Sequence, residues 1–314
     1  MVGRSGHRDS SMENSMRLRL DKRTLAFVFI FLIGLSILLY PLVSSTWNQI
    51  LANRLMGDYD GAVAEVPKKT LDEMIVASRE YNNRLLPKAV PDAFSIREKV
   101  TDNEYESLLN VTGNGMMGYI EIPSINTKSP LYHYSTEDVL QKGVGHLFGS
   151  SLPVGGKGTH AVLTAHRGLP SNKLFSDLDK IVVGDKFFIT ICGETIAYQV
   201  DQILTVLPDE TSELALVDGK DYVTLVTCTP YGVNTHRILC RGYRVPYTPG
   251  DEGKVKAHHW LNMNIMMGLV GALLGILIAL ILVIRMRKRD NDDEENEPED
   301  NRRDTGEKKT IHIR

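Results

Sequence analysis

Two long apolar runs bracket this chain, and they limit its possible folds more than anything between them. The first, residues 25–43, is interrupted only by Gly34, Ser36 and Pro41 and comes after Arg17, Arg19, Lys22 and Arg23. The second, residues 265–284, carries no charge and runs directly into Arg285, Arg287, Lys288 and Arg289. About 20 apolar residues cross the roughly 30 Å hydrocarbon core as a helix. Basic residues favour the cytoplasmic side, and both clusters lie at the outer ends of the runs, so the middle of the chain is expected outside the cell and both termini inside. For the first run a cleaved signal peptide is the alternative, with Val43-Ser44-Ser45 as a small-residue cleavage site; the length of the run favours an uncleaved anchor. Either reading exports the middle of the chain. A buried core helix fits the second run poorly, because it is apolar on every face.

The expected organisation is set by these anchors. Residues 1–24 form a cytoplasmic N-terminus, 25–43 a transmembrane helix or signal anchor, and 44–99 an extracellular helical region with a loop at about 88–95. Residues 100–247 form a β domain, 248–264 a juxtamembrane linker, 265–284 a second transmembrane helix and 285–314 a charged cytoplasmic tail. The tail is rich in Asp and Glu over 290–300 and has no aromatic residue there, a composition that cannot bury enough apolar surface to order itself. A formal charge of −3 over 314 residues gives no global field for nucleic acid.

Within the exported part, 46–91 reads as helical. Thr70-Leu-Asp-Glu has the form of a capping box, and Leu71, Met74, Ile75, Ser78, Tyr81 and Leu85 come after it at helical spacing. Pro87 and Pro91 then open the loop. From Gly118 to Tyr247 the texture changes to short β-type runs separated by Gly, Pro and Asp. They begin at Gly118, His160, Lys186, Thr195, Tyr222 and Arg237. At least six strands with little helix between them imply a barrel or a sandwich. Gly155-Gly-Lys-Gly lacks the spacing of a phosphate-binding loop.

The exported segment holds only three cysteines, Cys192, Cys228 and Cys240, so at least one thiol is unpaired. Cys228 closes a strand on the face it shares with Thr224 and Val226, and Arg237 re-enters a strand after the next turn. In a hairpin the two lie close together. His166 also ends a strand, just before Gly-Leu-Pro. These are the side chains that thiol chemistry needs. A cysteine nucleophile must be a thiolate, an imidazole can protonate a leaving amine near neutral pH, and a guanidinium stays charged to meet an oxyanion. Cys240 alternates away from the site, and Cys192 lies at a strand end. Both read as packed thiols, with a Cys192–Cys240 bridge left open. His146 and His160 lack ligand spacing and read as structural, His236 faces away from Arg237, and His258 and His259 belong at the membrane interface. No metal and no cofactor is expected.

The stretch Thr224-Leu-Val-Thr-Cys-Thr-Pro-Tyr-Gly-Val-Asn-Thr-His-Arg resembles the sortase signature TLxTC with its downstream arginine. Pro230, Tyr231 and Asn234 resemble the version in class C, pilin-polymerising sortases. Gly143-Val-Gly-His-Leu, Ser151-Leu-Pro-Val-Gly-Gly, Ala165-His-Arg-Gly-Leu-Pro and Leu174-Phe-Ser-Asp-Leu are similar to that class as well. The likeness covers roughly 118–245. It implies a closed eight-stranded β-barrel carrying a thiol transpeptidase that cleaves an LPxTG-like sorting signal between Thr and Gly. By that resemblance Cys228 forms a thioester, His166 is the acid/base partner and Arg237 holds substrate or oxyanion. A lysine of the next pilin subunit resolves the thioester, so sorting-signal-bearing pilins are the implied partners.

The class also carries an inhibitory lid, usually Asp-Pro and then an aromatic. Asp92-Ala93-Phe94 resembles it with the proline missing, which suits Asp92 to pair with Arg237 and Phe94 to lie against the Cys228 sulfur. Two other functions compete with this reading. One is a sortase that joins proteins to a cell-wall precursor, and the other is a non-catalytic surface module.

Overall fold

The structure, a computed structural model, describes residues 22–85, Asp92, Phe94, 102–254 and a set of helical residues between 269 and 285. It divides into two compact units, 1–258 and 259–314.

The first unit begins with helix α1 (Lys22–Glu65), which runs through Pro41 and far past the apolar run. Its N-terminal half is exposed, with Phe29, Ile30, Ile37 and Leu38 bare, and it is long and apolar enough to cross a membrane. Ser36 and Thr46 return their hydroxyls to the carbonyls of Leu32 and Leu42, which satisfies those donors within the helix. Further along, Ala52, Met56, Tyr59 and Val63 recur at helical spacing and are buried. The Tyr59 hydroxyl donates to the Met117 carbonyl at 2.8 Å and accepts the Cys192 amide at 2.9 Å. One helix therefore supplies both the exposed apolar segment and a seat on the domain.

α2 (Lys68–Arg84) buries Leu71, Ile75, Ser78 and Tyr81, the stripe expected from the spacing. The expected capping box does not form. The N-cap is Pro67, no side chain caps the helix, and Thr70 lies inside it with its amide on the Pro67 carbonyl at 2.9 Å. Proline fixes φ for the helix start, so the break falls at Val66-Pro67 and the region becomes two helices. Asn82 anchors α2 by a two-way bond to the backbone of Leu152, at 3.0 and 2.7 Å.

Eight strands close a barrel: β1 (Met116–Ile122), β2 (Thr127–His133), β3 (Val144–His146), β4 (Thr159–Thr164), β5 (Lys186–Ile191), β6 (Glu194–Val206), β7 (Asp221–Thr229) and β8 (His236–Val245). Their order around the barrel is β1-β2-β3-β4-β7-β8-β6-β5. The sequence pattern does not reveal β2 and β3. Pro130 inside β2 reads as a breaker, yet it lies outside the β2–β3 pairing, which covers only Leu131 to His133, so no ladder bond is lost on that edge. β3 has three residues, too few for any period.

β7 is buried on both faces, which explains its unbroken apolar texture. Val223 and Leu225 join the barrel interior with Ile238 and Cys240. Val226 packs in a separate outer cluster with Leu147, Val162, Leu214 and Leu239, against which Phe94 rests. This outer face becomes the floor of the site.

Of the expected loop at 88–95, only Asp92 and Phe94 belong to the described residues. In the second unit, helix is described at 269–271, 273–278, 280–281 and 284–285. The rest of the second apolar run, most of the linker, the N-terminus to residue 21 and the acidic tail lie outside the described residues.

Candidate active site

Strand register builds the site. β4 and β7 run parallel with Thr164 opposite Val226. Just beyond, the Ala165 amide donates to the Val226 carbonyl at 3.2 Å, and the Thr227 hydroxyl donates to the Ala165 carbonyl at 2.8 Å. The pairing thus continues one residue past β4, which carries His166 to the level of Cys228. On the other side of β7, antiparallel β8 sets Arg237 directly opposite Cys228. Three neighbouring strands present one reactive side chain each at the same end of the barrel.

His166, Cys228 and Arg237 line one cavity of about 510 Å³ with Phe94, Ser135, Glu137, Leu140 and Asn234. Cys228 is only 7% exposed. Burial pushes its thiol above the usual value, the Arg237 guanidinium pulls it back, and Asp92 adds to the rise. Arg237 gives one nitrogen to the carbonyls of Asn234 and His236, at 3.0 and 3.1 Å. Asn234 adopts φ 62°, a left-handed conformation asparagine tolerates, which turns its carbonyl onto the guanidinium.

Asp92 meets Arg237 in a bidentate pair, with Nε and Nη2 donating at 2.8 and 2.9 Å. The Phe94 ring lies 5.1 Å from that guanidinium and 5.8 Å from the His166 ring. Phe94 lines the cavity that also holds Cys228, with its ring tilted 38° to the imidazole of His166. Asp92, for its part, is bound to the arginine opposite the thiol.

Arg167 points elsewhere. Its guanidinium bonds the Thr229 hydroxyl at 3.0 Å and the Ser176 carbonyl at 3.3 Å and pairs with Asp179, tying the loop after β4 to the end of β7. Cys192 and Cys240 are both free and buried, so no bridge joins them. Burial raises their thiols to about 11 and about 12. His146 Nε2 donates to the Ser151 carbonyl at 2.8 Å, and its Nδ1 lies 2.7 Å from the Tyr105 hydroxyl. His160 bonds the Ala215 carbonyl and the Thr224 hydroxyl. Both are framework groups. Among the described residues, no cluster of three or more His, Cys, Asp or Glu is placed to hold a metal ion.

Glu137 was not anticipated from the sequence. It heads the short helix α3 (Glu137–Leu140) and places its carboxylate 3.2 and 3.3 Å from His166 Nε2. The only local signal was an acidic residue after Thr136, a common helix start that says nothing of a distant histidine.

Residues 120–245 match the model of the sortase domain family. Sortase A of Bacillus anthracis is 28% identical over 186 residues, covering 59% of this chain and 83% of that protein. The solved structure of sortase C from Streptococcus pneumoniae, described as informing catalysis and pilin substrate specificity, is 43% identical with a TM-score of 0.59. The match covers 62% of this chain and 98% of that one. A pilus-related sortase C of group B Streptococcus is 44% identical with a TM-score of 0.57, over 61% of this chain and 97% of that one.

Proposed function

The chain belongs to class C of the sortase family, and from that premise we propose that it is a cysteine transpeptidase that polymerises pilins. Transpeptidation is the family's activity. The thiol mechanism and the pilin substrate are our reading, and the observation that carries it is the lateral register His166–Cys228–Arg237 on β4, β7 and β8.

In this reading the Cys228 thiolate attacks the Thr carbonyl carbon of an LPxTG-like signal. The carbonyl electrons move to oxygen, where Arg237 holds the oxyanion. Collapse breaks the Thr–Gly bond, His166 protonates the departing glycine amine, and a thioester remains on Cys228. The ε-amine of a pilin lysine then gives a proton to His166 and attacks the thioester. The products are an isopeptide bond and the regenerated Cys228 thiolate, with the proton on His166.

Asp92 and Phe94 act as a lid, since substrate needs both the arginine they engage and the thiol they cover. The apolar half of α1 anchors the enzyme in the membrane with the barrel outside, and the run at 265–284 returns the chain to the cytoplasm.

The test is to incubate the full-length enzyme in detergent with a sorting-signal peptide and detect the acyl-enzyme by intact mass. Cys228→Ala should lose both acyl-enzyme and polymer, while Cys192→Ala and Cys240→Ala keep them when folded. Activity in Cys228→Ala would sink the mechanism. Supplying a pilin acceptor against a wall-precursor amine separates polymerisation from wall anchoring. The likeness to sortases described as pilus-related favours the pilin.

A further inference from the structure

We propose that Glu137 is a positioning residue of the reaction, holding the His166 ring by Nε2 so that Nδ1 performs the proton transfers. The inference rests on the role assigned to His166 above. Both carboxylate oxygens of Glu137 lie within 3.3 Å of Nε2, and the Gln141 side-chain amide donates to Oε1 at 2.6 Å, fixing the carboxylate from behind. Hydrogen bonding to Gln141 holds the Glu137 carboxyl below its usual range, with His166 contributing, so it is ionised and can only accept. Nε2 must therefore carry the proton. Among the described residues Nδ1 makes no hydrogen bond, and it is left as the working nitrogen of a ring that lines the thiol cavity.

The division of labour suits a two-step transfer. With Nε2–H anchored throughout, Nδ1–H gives its proton to the departing glycine amine. The same bare Nδ1 then takes one from the incoming lysine amine. The ring need not flip between the steps.

The other groups facing the ring do not compete for it. Cys228 and Arg237 line the same cavity, Arg237 is engaged by Asp92, and Phe94 offers a ring face. Arg167, next along the chain, directs its charge to Asp179.

The test compares Glu137→Gln, Glu137→Asp and Glu137→Ala in the full-length protein, reading acylation by an LPxTG-type peptide across about pH 5–10 together with Tm. Removing the charge should lower the acylation rate across the profile. The acylation rate at about pH 8 should fall about five- to tenfold, between the effect of an exposed ion pair and that of a buried triad aspartate. KM should change little, since Glu137 bonds the imidazole. Glu137→Asp, which keeps the charge, should recover much of the rate, and Tm should hold because Glu137 is exposed. A Glu137→Gln profile that superimposes on wild type would overturn the inference, as would losses in all three variants that simply track Tm. His166→Ala separates the two layers. Activity in that variant sinks the underlying reading, whereas an inactive His166→Ala beside a normal Glu137→Gln sinks only this inference.

Discussion

Replacing Asp92 and Phe94 by alanine should expose the Cys228 thiol, and the geometry sets the size of the effect. The Asp92–Arg237 pair is bidentate, and its side chains are only 12% and 11% exposed. Charge-assisted bonds of this kind contribute about 1.5–3 kcal/mol, and the Phe94 ring against the guanidinium adds about 0.5–1 kcal/mol. Fixing the two side chains costs about 0.5–1 kcal/mol each against this. A net closure of about 2 kcal/mol leaves roughly one molecule in thirty open. Asp92→Ala with Phe94→Ala should therefore speed alkylation of Cys228 about 30-fold. A second effect acts in the same direction: Asp92 raises the Cys228 thiol, so its loss lets more thiolate form. The midpoint of the labelling rate against pH should then move down. The assay is iodoacetamide labelling and then peptide mass mapping, with Tm measured alongside. Hydrolysis of a short sorting peptide should rise with labelling. Unchanged labelling in a double variant with unchanged Tm would show that these two side chains do not guard the thiol.

Single contacts elsewhere carry their own consequences. Arg237→Lys keeps the charge but loses the planar fork, so turnover should fall about 10²–10³-fold while folded Arg167→Lys retains most of it; the opposite ranking would put the oxyanion role on the wrong arginine. His146 is fully buried, and burial lowers its pKa to about 4. A depressed folded-state pKa means the unfolded chain takes the proton first, so stability present above about pH 6.5 should drain away towards about pH 4, by about 3 kcal/mol for this group. A thermal midpoint that stays flat across that window would contradict the burial. A methyl group at Gly242 would lie 2.6 and 2.8 Å from ring atoms of Phe187. That ring is fully buried and stacks on Tyr198. Gly242→Ala should lose about 1–3 kcal/mol in a denaturant titration, and an unshifted midpoint would show that the ring yields freely.

Six of the eight strands, the helical stripe of α2 and the apolar half of α1 were legible in the sequence because each is a local pattern. Burial of one face imposes a period that a few neighbouring residues reveal, and TLVTC with its downstream arginine lies in one hairpin whose turn sets the pairing of Cys228 with Arg237. Where local pattern fell silent or misled, the tertiary structure decided. Pro130 forbids nothing in β2 because the β3 pairing begins only beyond it, and β3 exists only by its neighbours. Pro67, rather than Thr70, starts α2 because backbone geometry outranks a side-chain motif. The meeting of His166 with Cys228 depends on a parallel register between β4 and β7, strands far apart in the chain, and barrel closure sets that register while no short window of sequence encodes it. The same holds for Glu137 on His166 and for Phe94 on the histidine and arginine. These contacts arise where separate loops converge over one end of the barrel, so they depend on the packing of the whole and not on the residues beside them in the chain.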